Sequence, residues 1–160
     1  MGPSNETEKS LERVLAAYRN AVRAKDVSAF MALYDPKVRV FDAWSVWSYE
    51  GAQAWQVAVE GWFTSLGSEA VEVTFDDVQS ALGPDWAMLS AVVTYAGISA
   101  QGERLRAMQN RLTWALRTSR HVLRIVHEHT SAPLGLADSK AILQREAKTG
   151  VGASAANIRN

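Results

Sequence analysis

Two stripes of apolar residues at helical spacing precede a long, almost continuous stretch of strand-like sequence, and that order leaves few folds open. Leu11, Val14, Leu15, Tyr18 and Val22 form the first stripe. Glu6, Glu8 and Glu12 stand near its start and Arg23 and Lys25 near its end, as a helix dipole favours. A short second helix is predicted over 27–34, with Asp26 or Ser28 as cap and Pro36 as stop. Residues 38–42 read as a short strand and 43–50 as an irregular aromatic stretch. Gly51 opens a third helix with a stripe of Trp55, Val59, Trp62 and Leu66, and Gly67 ends it.

From there the period changes to two. Val71, Val73 and Phe75 alternate with Glu72, Thr74 and Asp76, and Gly83, Pro84 and Asp85 signal a turn. Further strands are predicted over 86–96, 104–117 and 121–131, with Pro133 and Gly135 closing the sheet. Strands joined by short turns pair antiparallel. The expected fold is α+β: a cone-shaped, curved antiparallel sheet wrapped around about three helices, with a pocket between them. The expected organisation is a loose leader over 1–5, one pocketed domain over 6–136, and a short helix and frayed tail over 137–160.

Composition narrows the functional classes. The chain has 160 residues, enough for one domain, and 48% of them are hydrophobic, as in an ordinary globular protein. Seventeen basic and seventeen acidic side chains cancel, which argues against nucleic acid as a partner. The absence of cysteine removes disulfides, thiolate nucleophiles and thiolate metal sites. Residues 1–9 lack the pattern of a signal peptide, and no apolar run approaches the roughly 18 residues of a membrane span, so a cytoplasmic protein is expected. No Gly-rich phosphate loop, nucleophile elbow or dinucleotide fingerprint occurs, and no cofactor is expected.

Three segments carry a resemblance to a known family. Residues 26–36, from Asp26 through Phe30 and Tyr34 to Pro36, resemble a short helix and its following loop in the nuclear transport factor 2 superfamily. Val40, Phe41 and Asp42, then Tyr49, Glu50 and Gly51, are similar to its first strand and third-helix start. Residues 125–133, from Ile125 through Glu128 and Thr130 to Pro133, look like the closing strand of its SnoaL-like members, and of the calcium/calmodulin-dependent kinase II association domain. The chain is thereby identified as a member of the SnoaL-like and ketosteroid isomerase branch. The resemblance implies the cystatin-like, cone-shaped fold and an internal hydrophobic pocket.

Candidate site residues follow from strand parity and from that resemblance. Asp42 shares the parity of Val38 and Val40 and resembles the isomerase's catalytic base. A carboxylate among apolar neighbours has a raised pKa and can take a proton from carbon beside a carbonyl. Tyr18 is similar to the isomerase's oxyanion-hole tyrosine. The isomerase's second donor is an acid, and the best match here is Thr113, a departure that speaks against steroid isomerisation. Arg111 shares the parity of Thr113 and is expected in the pocket, holding a carboxylate or enolate or pairing with Asp42 or Glu128. His127 and His129 share one face of their strand. The parity of Leu123 and Ile125 turns them inward, whereas the resemblance turns Val126, Glu128 and Thr130 inward instead, and a bulge would spoil either argument. Trp44 and Trp62 are expected at the mouth and wall of the pocket, where aromatic surface suits a flat apolar ligand.

Three functions stand open at this point. The first is a cofactor-independent isomerase- or cyclase-type enzyme moving a proton on an apolar carbonyl compound, with Asp42 as base and Tyr18, Arg111 and His127 stabilising charge. The second is a non-catalytic ligand-binding or oligomerising domain. The third is a metal-dependent hydrolase using His127, His129 and an acid, although no third ligand is marked. A homodimer is also expected, through an outer sheet face bearing Leu112, Trp114 and Leu116.

Overall fold

The computed structural model describes residues 3–145, with side chains from residue 5. In chain order the elements are α1 (Pro3–Ala24), α2 (Val27–Met31), β1 (Tyr34–Phe41), β2 (Tyr49–Glu50), α3 (Ala52–Ser65), β3 (Ala70–Leu82), β4 (Trp86–Ile98), β5 (Arg104–Ser119) and β6 (Val122–Ser131). One mixed sheet carries all six strands in the order β2-β1-β6-β5-β4-β3.

The two helical stripes are the faces that the sheet covers. Leu11, Val14, Tyr18, Ala21 and Val22 of α1 are buried, as are Trp55, Val59 and Phe63 of α3. Trp62 and Leu66 sit beside the α3 stripe and are half-buried, turned toward the cavity described below. Full burial of a side chain such as Val22 stabilises the fold by about 1.5–3 kcal/mol. Asp26 caps α2 by accepting the Ala29 N–H at 2.9 Å, an interaction that stabilises by about 1 kcal/mol. Lys25 ends α1 at φ 53 and donates from Nζ to the carbonyls of Gly67 and Glu69 at 2.6 and 2.9 Å, tying α1 to the segment after α3. Gly51 holds the corner into α3 at φ +84, with its N–H on the Val38 carbonyl at 2.7 Å.

Several boundaries differ from the expected ones. α1 begins at Pro3, inside the stretch read as a leader, because proline is well placed in a first helical turn. α2 stops at Met31, and Tyr34 and Pro36, read as helix end and stop, already belong to β1. The aromatic stretch contains β2, two residues long. β1 runs parallel to β6 rather than antiparallel, and the other pairings are antiparallel. His121 is in the turn, not the strand: Arg120 and His121 both have positive φ, as a tight two-residue hairpin turn requires. The helix expected over 138–148 is replaced, as far as residue 145, by irregular chain bridging Leu134 to Ala141. Residues 146–148, and the tail expected over 149–160, lie outside the described residues. No helix among the described residues is long and apolar enough to cross a membrane.

The parity of β5 is opposite to that expected from the resemblance. Leu112, Trp114 and Leu116 are 2, 0 and 2% exposed and form the core floor, so they are no outer patch. Arg111 and Thr113 face solvent. An apolar row on a strand with one wet face turns to the core, and that preference prevails here. The dimer surface built on those three residues is therefore absent.

Candidate functional site

The helices cover only part of the concave sheet face and leave a cavity of about 490 Å³. One side is apolar, lined by Trp55, Val59, Trp62 and Leu66 of α3 and its end, and by Val71. Trp44, half exposed, stands on its rim. The opposite side is polar and draws Tyr18 from α1, Tyr95 from β4, Asn110 from β5, and Glu128 and Thr130 from β6. Asp42, just past β1, keeps the inward parity of Val38 and Val40 and completes it.

Asp42 is held in place by β6. Its Oδ1 accepts from Thr130 Oγ1 at 2.8 Å, and Thr130 Oγ1 in turn accepts the Ala43 N–H at 2.9 Å. Burial raises the Asp42 pKa, and hydrogen bonds from Thr130 and from the Ala43 and Trp44 backbone offset part of that rise. Glu128 is the second carboxylate of the cavity and is 2% exposed. Tyr34 Oη and Trp114 Nε1 donate to its Oε2 at 2.7 and 2.8 Å. Burial pushes its pKa up to about 7, against the lowering effect of those two donors, and the nearby Asp42 charge adds to the rise. Two carboxyl groups whose ionised forms repel each other thus share one pocket.

Tyr18 and Tyr95 form a phenol pair with their hydroxyls 2.8 Å apart. Burial, foremost, raises both pKa values, so both are neutral phenols. One O–H is used in the mutual bond, which leaves the other to donate to a bound molecule. Phe30, Phe75 and Trp114 rings pack 5.0 to 5.7 Å from the Tyr18 ring and fix its position.

The structure places the other expected site residues outside this cavity. Arg111 Nε donates to Ser131 Oγ at 3.1 Å on the solvent face, so Arg111 makes no pair with Asp42 or Glu128. Thr113 is beside it, paired with His129. The register of β6 shifts at Val126, which pairs with neither Leu116 nor Ala115. This bulge turns Ile125 and Glu128 to the same face and sends His127 and His129 outward. The Phe41 ring lies edge-on to both imidazoles at 5.1 and 5.5 Å, and His127 Nδ1 is 2.8 Å from the Arg39 carbonyl. Among the described residues no group of three His, Asp or Glu is placed to hold a metal ion.

Tyr95 and Asn110 are polar cavity residues that sequence reasoning did not assign to the site, whereas the family resemblance turned Glu128 and Thr130 inward, as they stand here. Asn110 could have been found from the apolar alternation of Leu112, Trp114 and Leu116, whose parity it shares. Strand parity alone would have missed Glu128, because the Val126 bulge that puts it in phase with Ile125 has no sequence signature.

A curved six-stranded sheet packed on three helices, with carboxyl and phenol groups inside one cavity, defines the class of fold. The SnoaL-like domain family model matches residues 11–135, and the chain belongs to that family. A structure of an NTF2-like protein of unknown function from Pseudomonas putida superposes with a TM-score of 0.76 at 20% identity, covering 92% of this chain and 99% of that one. A candidate scytalone dehydratase from Novosphingobium aromaticivorans gives 0.68 at 14% identity, over 81% and 87% of the two chains. A candidate calcium/calmodulin-dependent protein kinase II association domain from Xanthomonas campestris gives 0.66 at 16%, over 77% and 85%. These likenesses establish the fold, with its cystatin-like form. The curated proteins contain no match.

Proposed function

We propose that this protein is a cofactor-independent isomerase- or cyclase-type enzyme that moves a proton on an apolar carbonyl compound bound in the cavity. The observation that carries the reading is the convergence of two carboxyl groups of raised pKa, Asp42 and Glu128, with a neutral phenol pair in one largely apolar space. Asp42 takes a proton from the carbon next to the carbonyl; the electron pair of that C–H bond forms a double bond to the carbonyl carbon, and the C=O π pair moves onto the oxygen. The free O–H of the Tyr18–Tyr95 pair donates to the resulting enolate oxygen. Asp42 then returns the proton to another carbon of the same ligand. Glu128 gives the site a second carboxyl near neutral pH, able to hold a proton close to the ligand. Arg111 and His127, on the outer face, take no part.

Fold likeness at 14 and 16% identity does not choose between an enzyme and a binding or assembly domain. Proton exchange does. A bicyclic ketone such as 2-tetralone is incubated with the protein in D2O and its α-carbon deuterium content followed by NMR. The proposal predicts enzyme-dependent exchange. Binding without exchange would assign the cavity to a non-catalytic ligand-binding protein.

A further inference from the structure

The polar wall of the cavity contains a buried side-chain oxygen that no described residue satisfies. Asn110 is 6% exposed, lines the cavity, and its Oδ1 is buried without a hydrogen-bond partner. Its amide makes no side-chain hydrogen bond with the described residues. Buried polar atoms are nearly always paired, because leaving one without a partner costs the desolvation of that group.

The position of Asn110 says what kind of partner is missing. It lies on the inner face of β5, opposite Val93 of β4, where the diagonal neighbour is Tyr95, the register partner of Met108. Two residues further along that face, Leu112 pairs with Thr130, the residue that holds Asp42. The amide therefore stands on the same wall as the phenol pair and the first carboxylate, about one strand step, roughly 7 Å, from each row. That spacing matches two substituents on one ring system. A group that both donates and accepts satisfies the amide in either orientation, and a hydroxyl on the ring of a bound ligand is such a group.

We infer that Asn110 is a specificity-determining residue that recognises a ring hydroxyl, so that the ligand is a hydroxylated carbocycle rather than a plain hydrocarbon or ether. The inference rests on the reading of the cavity as a small-molecule site and adds the chemical class of its occupant. The ligand hydroxyl supplies the donor that Asn110 Oδ1 lacks among the described residues.

The test uses 2-naphthol and 2-methoxynaphthalene, which differ in the donor, with the full chain and its Asn110→Leu variant. Wild type should bind the naphthol about tenfold or more tightly than the ether. In Asn110→Leu that preference should fall to within about twofold, chiefly because the ether gains affinity. Asn110→Leu should also melt no lower than wild type without ligand, since an apolar group of similar size replaces an unpaired polar one. Equal binding of both probes by wild type, or an unchanged preference in the variant, would overturn the role of Asn110 while leaving the cavity a ligand site. A clearly lower melting temperature would overturn it too, by giving the amide a structural partner. Failure of wild type to bind either probe would overturn the small-molecule reading itself.

Discussion

Trp114 and Glu128 are directly paired across the β5–β6 ladder, and the indole N–H of one donates to the carboxylate Oε2 of the other at 2.8 Å. Both side chains are essentially buried, so the floor of the core and the wall of the cavity are the same contact. The Tyr34 hydroxyl reaches the same oxygen at 2.7 Å. A charge is tolerated there only because two donors meet it, and burial still raises its pKa to about 7.

That shift predicts a pH dependence of stability. Below the ordinary glutamate value of 4.5, Glu128 is protonated in both folded and unfolded chains. Between 4.5 and about 7 the folded chain keeps a proton that the unfolded chain has lost, so the contribution of Glu128 to stability falls as pH rises through that window. Urea unfolding at pH 5 and pH 8 should therefore show Glu128→Gln gaining on wild type at the higher pH. A difference independent of pH would contradict the shift.

Trp114→Phe removes one of the two donors and leaves the ionised carboxylate underserved. The variant should lose about 1–3 kcal/mol at pH 8. The loss should be smaller at pH 5, where a neutral carboxyl needs the donor less. Equal losses at the two pH values would mean that packing alone accounts for the tryptophan.

Removing a phenol probes the charge-stabilising pair. Tyr95→Phe should slow α-carbon exchange by about 100-fold, within the range for loss of a donor to a developing oxyanion. Ligand affinity should change far less, because the bond strengthens as charge develops. An affinity loss as large as the rate loss would make Tyr95 a binding group instead.

Arg111→Ala and His127→Ala examine the outer face. Both residues lie across the sheet from the cavity, so exchange should stay within about twofold of wild type. A loss of tenfold or more in either variant would return that residue to the chemistry.

Much of this was legible in the sequence where one periodicity controls one face. Leu11, Val14, Tyr18 and Val22 of the α1 stripe are buried as their spacing predicts because a helix packed on a sheet has only one dry side. The cavity is lined by Tyr18, Asp42, Trp44, Trp62 and Thr130, all of them named from the sequence. On β5, the alternation of Leu112, Trp114 and Leu116 carried the correct parity, and the likeness of Thr113 to a family position led the other way. On β6 the resemblance had Glu128 and Thr130 inward and parity had His127 and His129 inward; the Val126 bulge, which sets Leu123 and Ile125 in phase with Glu128, is why parity failed. The two-residue β2 and the parallel β1–β6 ladder were illegible for another reason: both depend on contacts between distant segments, to which local periodicity is blind.

The central claim is that Asp42 is the base, and Asp42→Asn tests it most directly. Asparagine keeps the size and an oxygen to accept from Thr130, but it cannot take the proton. Deuterium exchange into 2-tetralone and affinity for the same ketone are measured side by side on wild type and variant. The account predicts that exchange falls by at least about 100-fold while affinity stays within about threefold. Exchange persisting in Asp42→Asn at the wild-type rate would contradict it.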